Sequence, residues 1–253
     1  MIDDRAISNR EIVLKLNDLH KRFGNNKVLN GFNMCLFKGE NLVIMGKSGS
    51  GKSVMIKCLV GLMEADSGTI SVMHNDITKL DQEALDILRA DIGFLFQGSA
   101  LYDSMTVREN LEFPLRRHTK KFGENLDTET LVVEALENVG LASAINLMPS
   151  ELSGGMKRRV ALARTLILQP KIILYDEPTS GLDPITAKEI IILMQDIQKK
   201  YGTSSLIITH DVDCARVISD RMILLIDGID YASGTYAELS ASTDPKIKAF
   251  FKH

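Results

Sequence analysis

Residues Asn41–Ser53 read Asn-Leu-Val-Ile-Met-Gly-Lys-Ser-Gly-Ser-Gly-Lys-Ser, an apolar run that breaks into a glycine-rich turn. An apolar-periodic segment, Val54–Leu62, follows, so the spacing predicts strand, tight loop and helix in succession. Gly46, Gly51, Lys52 and Ser53 fit G-x-x-x-x-G-K-[ST], the pattern of a loop that cradles phosphate groups. The chemistry asks for these residue types. Glycines allow positive φ and close approach of the backbone to phosphate oxygens. The turned backbone of Lys47, Ser48, Gly49 and Ser50 aims N–H groups inward, and the helix opening at Val54 adds the positive end of its dipole. Lys52 supplies a mobile cation for the β/γ-phosphates and Ser53 a hydroxyl for Mg²⁺. A nucleotide site is expected here.

The rest of the chain has room to serve that site. Its 253 residues bury one large core or two small lobes, and 45% hydrophobic with 25% charged residues is an ordinary globular composition. A net charge of −3 argues against broad nucleic-acid binding. No apolar run reaches the roughly 18–20 residues of a membrane span. The start, Met1–Ala6, lacks the apolar core of a signal peptide. Cys35, Cys58 and Cys214 lie far apart and outside any C-x-x-C, which reads as reduced core thiols of a cytosolic protein.

Strands are expected at Ile12–Leu16 and Val28–Phe37, with a turn at Lys21–Gly24. Phe23 lies at that turn, where its ring either stacks on a base or simply packs. After the phosphate loop come an alternating strand at Ser67–Met73, a helix at Asp81–Arg89, and a short strand at Ile92–Phe96 that ends in Gln97. A glutamine at a strand end is ordinarily unremarkable. Beside a nucleotide, its amide coordinates Mg²⁺ or orients a water. From Gly98 to Leu168 only helical spacing occurs, which predicts an inserted helical lobe with its loosest loop at Thr119–Asn125. Within the lobe's head, Leu101, Tyr102 and Met105 either pack internally or form an apolar groove.

The strand Lys171–Tyr175 runs into Asp176, Glu177 and Pro178. Adjacent carboxylates at the carboxyl end of a buried strand are costly unless something uses them, and parallel sheets bind ligands at that end. The pair is either a strand-terminating acidic turn or, beside a phosphate loop, Asp176 for the Mg²⁺ shell and Glu177 as a general base facing water. Asp183-Pro184 opens a long helix to Lys200, and the strand Ser205–Thr209 ends at His210, either a satisfied structural histidine or, at the same sheet edge as Gln97 and Asp176, a γ-phosphate contact. A hairpin about Asp227-Gly228 and a short helix near Phe251 close the chain. One more cradle appears at Leu152-Ser-Gly-Gly-Met156, ahead of a helix: either an N-cap serine with a flexible turn, or a second anion site. A second phosphate cradle beside a single phosphate loop makes sense if it serves another copy's nucleotide.

Over nearly its whole length the sequence resembles the nucleotide-binding subunits of ATP-binding cassette (ABC) transporters. The motifs fall in that family's order: Phe23 as the adenine-stacking aromatic, the phosphate loop Gly46–Ser53, Gln97, the signature Leu152–Met156, Asp176-Glu177, Ser180–Asp183 and His210. The resemblance implies an α/β P-loop NTPase core of the RecA/F1-like kind over 1–97 and 169–253, with an antiparallel β subdomain, and an inserted α-helical subdomain over 98–168. It implies ATP and Mg²⁺ as cofactors. ATP is then held by Phe23, by Gly46 through Val54, by Asp183, and by Ser153, Gly154 and Gly155, the last three from a second copy in a homodimer. Ser53, Gln97 and Asp176 hold the metal, and Glu177, His210, Lys52 and Gln97 do the chemistry.

The implied activity is ATP hydrolysis that drives permease subunits, which bind near residues 98–117 at the cytoplasmic face of the inner membrane. The signature ends in Met156, where the family commonly has Gln. That ending, with Ser99–Asn110, Phe113–Arg116 and Asp183–Thr186, resembles the ATPases of Mce-type (Mla-like) phospholipid transporters, and implies a membrane-anchored Mce protein as a further partner. The alternatives are a small-solute importer, a lipoprotein-releasing exporter, or a non-transport ATPase of the same superfamily.

Overall fold

The computed structural model describes residues 10–122 and 127–251, so the expectations for Met1–Ala6 and for Gly123–Asn125 lie outside the described residues. The chain divides into two compact units, one of residues 1–89 with 203–253, the other of residues 90–202. These borders differ from the 98–168 lobe drawn from helical spacing alone. Strand and helix on either side of the lobe group with it.

In the first unit, alternation of apolar residues produces two long strands, β1 (Ile12–Phe23) and β2 (Asn26–Phe37), paired antiparallel. The turn is displaced from its expected place: Lys21–Phe23 belong to β1, and Gly24 with Asn25 make the reversal. Gly24, at φ 58°, supplies the left-handed backbone the tight turn needs. With β4 (Ser67–Val72) and the two-residue β5 (Asn75–Asp76), these strands form an antiparallel sheet in the order β2-β1-β4-β5.

The unit's other sheet is largely parallel. The strands β3 (Asn41–Met45) and β8 (Ser204–Thr209) are buried at every position, as strands covered on both faces must be. β3 lies between β8 and β9 (Arg221–Ile226), parallel to both, and β10 (Ile229–Gly234) runs antiparallel on β9. The helices of this unit are α1 (Lys52–Leu59), α2 (Gln82–Arg89), α8 (Val212–Ile218), α9 (Tyr236–Ser240) and α10 (Pro245–Phe251). Of these, α8 was not expected from the sequence. Asp211, whose carboxylate accepts the Asp213 and Cys214 N–H groups, starts it. All three cysteines are buried free thiols, and burial raises the pKa of Cys35 and Cys58.

The second unit holds the parallel pair β6 (Ile92–Leu95) and β7 (Ile172–Asp176), with α3 (Val107–Arg117), α4 (Thr119–Phe122), α5 (Thr128–Glu137), α6 (Gly154–Leu166) and α7 (Pro184–Tyr201). Among the described residues no strand falls between β6 and β7. The expected loop at Thr119–Asn125 begins as the helical turn α4. Val107, Leu111, Val132, Leu136, Val160 and Ala163 knit α3, α5 and α6 into one apolar core. No helix among the described residues is long and apolar enough to cross a membrane.

Candidate functional site

The phosphate loop has the shape its glycines permit. Gly51 lies at φ 105°, and a Cβ there would meet the Val28 carbonyl and methyl at 2.9 Å. A Cβ on Gly46 would lie 2.4 Å from Ser50 Oγ and 2.9 Å from the Leu225 carbonyl oxygen. Neither position tolerates a side chain without moving backbone. Lys52 is buried, and its Nζ donates to the carbonyls of Gly46 at 2.6 Å and Lys47 at 3.1 Å. The ammonium thus holds the mouth of the loop from inside. Ser50 Oγ is buried without a hydrogen-bond partner, an orphan at the place an anion would satisfy. No side chain caps the start of α1, and Lys47, Ser48, Gly49 and Ser53 are exposed, with Ser50 and Val54 half-buried. Loop, cation and helix N-terminus fit a phosphate chain.

Register brings His210 to the same end of the sheet. Met45 pairs with Thr209 across β3 and β8, so Gly46 and His210 leave adjacent parallel strands at their carboxyl ends. Next to the loop lies a cavity of about 740 Å³ that Lys47–Ser50 share with Val28, the Leu225–Gly228 turn and α10. The α10 wall (Lys246, Ala249, Phe250) has no motif and was missed from the sequence. Phe23 stands at the end of β1, 48% exposed, with Lys21 Nζ 5.7 Å from its ring centre. The ring presents a face on which a base could stack.

In the second unit the same logic of strand ends gathers the acidic residues. Leu95 pairs with Tyr175, so Gln97 and the Asp176-Glu177 pair emerge together from β6 and β7. Asp176 is half-buried, while Glu177 is buried and takes φ 50°. A non-glycine residue in that region costs about 1–3 kcal/mol, and such strain clusters at functional positions. Gln97 is exposed and donates from Nε2 to Ser180 Oγ at 3.3 Å.

The signature turn shows its packing role in this form. Ser153 caps α6, its Oγ accepting the Met156 N–H at 3.2 Å. Gly154 is exposed, and a Cβ on Gly155 would strike the Thr186 methyl at 2.6 Å, so the turn sits directly on the start of α7. Asp183 caps that helix, accepting from Ile185 and Thr186 N–H groups at 3.1 Å. Hydrogen bonding from the Thr186 side chain, then its backbone N–H, lowers the Asp183 pKa. Met156 packs against the lobe core.

Of the residues that either pack internally or form a groove, the three differ in setting. Leu101 packs onto the lobe core and Met105 is half-buried; Tyr102 is exposed and sits 4.9 Å from the Phe113 ring.

Of the residues expected to hold Mg²⁺, Ser53 lies in the first unit and Gln97 and Asp176 in the second, and each offers an oxygen, the donor type that ion prefers. Among the described residues no cluster of three or more His, Cys, Asp and Glu forms an all-protein cage. Phosphate oxygens and water are therefore needed to complete a shell, as is usual for this ion.

Comparison with known proteins agrees with the geometry. A family model described as ABC transporter matches residues 29–180. The methionine import ATP-binding protein MetN of Rhizobium johnstonii is 42% identical over 237 residues, covering 94% of this chain and 65% of that protein. The probable ribonucleotide transport ATP-binding protein mkl of Mycobacterium tuberculosis is 37% identical over 239 residues, covering 94% of this chain and 66% of that protein. The chain thus spans slightly under two thirds of the length of these relatives. Among solved structures, the dimeric post-hydrolysis state of the ATP-binding cassette MJ0796 bound to ADP and Pi superposes with a TM-score of 0.79 at 33% identity, covering 88% of this chain and 98% of that one. The cbiO1 subunit from Clostridium perfringens, part of the transporter complex cbiONQ, gives 0.83 at 28% identity, covering 96% of each chain.

Proposed function

The chain belongs to the ABC transporter family, and on that premise we propose that it is the ATP-hydrolysing subunit of a membrane transporter. The observation that carries this reading is the phosphate loop, with no room for a Cβ at Gly46 or Gly51, an inward Lys52 and an orphaned Ser50 hydroxyl.

In this reading two copies enclose two ATP molecules. Each ATP lies between the phosphate loop of one copy and Ser153–Gly155 of the other, with Phe23 under the base. Lys52 and His210 hold the γ-phosphate, and Glu177 accepts a proton from the attacking water. Mg²⁺, held by Ser53, Gln97 and Asp176, would neutralise charge on the phosphate oxygens. The protein's own contribution is position and a preorganised field, completed when the copies close. The subunit would act peripherally, at the cytoplasmic face of the inner membrane, on permease subunits that contact residues 98–117.

For the cargo, the names of the relatives favour import of a small solute, methionine among them. A second reading, phospholipid transport with an Mce protein, rests on the resemblance of Ser99–Asn110, Phe113–Arg116, Met156 and Asp183–Thr186 to that subfamily. Reconstitution with candidate permease subunits in vesicles separates them. ATP turnover stimulated by a solute-loaded binding protein supports import, whereas turnover tied to phospholipid movement between vesicles supports the lipid reading. Absence of ATP hydrolysis in both the free chain and the complex would sink the proposal as a whole.

A further inference from the structure

Arg158 lies on the second turn of α6, five residues beyond Ser153, and is 3% exposed. The mechanism above gives it no work. Its guanidinium reaches away from its own helix to the residue after β6 and to the turn that follows β7. Nη1 donates to the Phe96 carbonyl at 2.8 Å, and Nη2 to the Ser180 carbonyl at 3.3 Å. Nε is buried without a partner. Burial lowers the pKa of the group, so the cation is held against a desolvation cost. A buried arginine with an unsatisfied nitrogen is a poor device for stability alone.

Its two acceptors are chosen positions. The Phe96 carbonyl belongs to the peptide plane that carries the Gln97 N–H, so fixing it fixes the root of Gln97. Ser180 offers its carbonyl to Arg158 and its hydroxyl to Gln97 Nε2, at 3.3 Å. Arg158, Phe96, Gln97 and Ser180 therefore close a ring. With Nε2 engaged, the Gln97 acceptor Oε1 is the atom left to face a cation. We propose that Arg158 is a positioning residue that seats Gln97 for the metal-nucleotide and ties that seat rigidly to the signature helix. Movement of Ser153–Gly155 is then carried to Gln97 through one side chain. This inference rests on the functional reading above.

The test uses the full chain and Mn²⁺ in place of Mg²⁺, with Mn²⁺ affinity read by electron paramagnetic resonance in the presence of a non-hydrolysable ATP analogue. Arg158→Gln should weaken Mn²⁺ binding by about 10–100-fold, the range for residues that support a metal ligand from behind. Metal-free analogue affinity, which reports the phosphate loop, should stay within about twofold. Arg158→Lys, which keeps the charge and one donor, should fall between. In a Gln97→Ala background, Arg158→Gln should have no further effect on Mn²⁺, because the residue it seats is gone. Ser180→Ala, which opens the ring from its other side without removing a buried charge, should weaken Mn²⁺ in the same direction by a smaller factor. Additive losses in the double variant, or unchanged Mn²⁺ affinity in folded Arg158→Gln, would overturn the inference. Loss of a melting transition in Arg158→Gln, Arg158→Lys and Ser180→Ala alike would make Arg158 a structural residue and also overturn it. A parent chain that neither binds nor hydrolyses ATP sinks the functional reading instead.

Discussion

The phosphate loop and the strap from Phe96 to Thr106 both bend backbone into unusual shapes, but by opposite means. In the loop, the demanding positions are glycines, and the holding bonds are local: Ser50 N–H to the Lys47 carbonyl, and Lys52 Nζ to Gly46 and Lys47. In the strap, Ser99 and Ala100 adopt φ 62° and 50° without being glycine. Their carbonyls are held by Arg164 on α6, at 3.2 and 2.8 Å, from some 65 positions along the chain. Burial lowers the Arg164 pKa, with Tyr102 opposing. Asn110 completes the bracket. Its amide nitrogen donates to the Tyr102, Met105 and Thr106 carbonyls and its oxygen accepts the Tyr102 N–H. One shape is written into its own residues, and the other is imposed from a distance.

The largest expected effect sets chemistry apart from binding. Glu177→Gln should lower steady-state ATP hydrolysis by about two orders of magnitude or more, while ATP affinity stays near that of the parent. Turnover close to normal would remove Glu177 from the mechanism.

The second effect sharpens the contrast between the two regions. Ser153→Arg places a cation and a bulky stem at the signature turn, so hydrolysis should vanish in the homodimer while the phosphate loop of each copy still binds ATP. Mixing with Lys52→Ala chains should restore at most one working site per pair, read as ATP turnover against mixing ratio. Full activity of Ser153→Arg alone would mean that the turn meets no nucleotide.

A third variant attacks the bracket without touching the loop. Asn110→Ala strips several hydrogen bonds from a buried group and should cost about 2–3 kcal/mol, seen as a lower urea midpoint. Amide exchange should rise between Tyr102 and Thr106 and stay unchanged at Lys47–Lys52. Equal loosening of both segments would erase the distinction drawn here.

Tyr102→Ala with Met105→Ala is expected to be milder in the free chain. Tyr102 is 43% exposed, so melting temperature and basal hydrolysis should hold nearly constant while co-purification with the permease falls. The smallest effect belongs to Met156→Gln. Because Met156 packs on the lobe core, the change should cost about 1 kcal/mol of stability and leave metal-free ATP affinity alone.

What could be read from the sequence follows the same division. The places of Gly46–Ser53, the acidic end of β7, His210 and the Ser153 turn were legible because each is marked by its own residue types at a strand end or helix start. Arg158, Arg164 and Asn110 left no such trace: an arginine on an amphipathic helix looks like any solvated charge until the helix is docked. The α10 wall of the cavity beside the loop was equally invisible, since Lys246, Ala249 and Phe250 gain their place only by packing. Likewise the sequence left Leu101 between internal packing and a groove, and the fold sets it partly buried against the lobe core.

By itself, then, the sequence determined the phosphate cradle, because backbone torsion and glycine's missing Cβ are local properties. It also determined which strand ends would carry acid, amide and imidazole. Only the tertiary structure decided which carbonyls the buried guanidiniums would reach. A cation taken out of water must find oxygen acceptors wherever the fold brings them, and that search runs through space rather than along the chain.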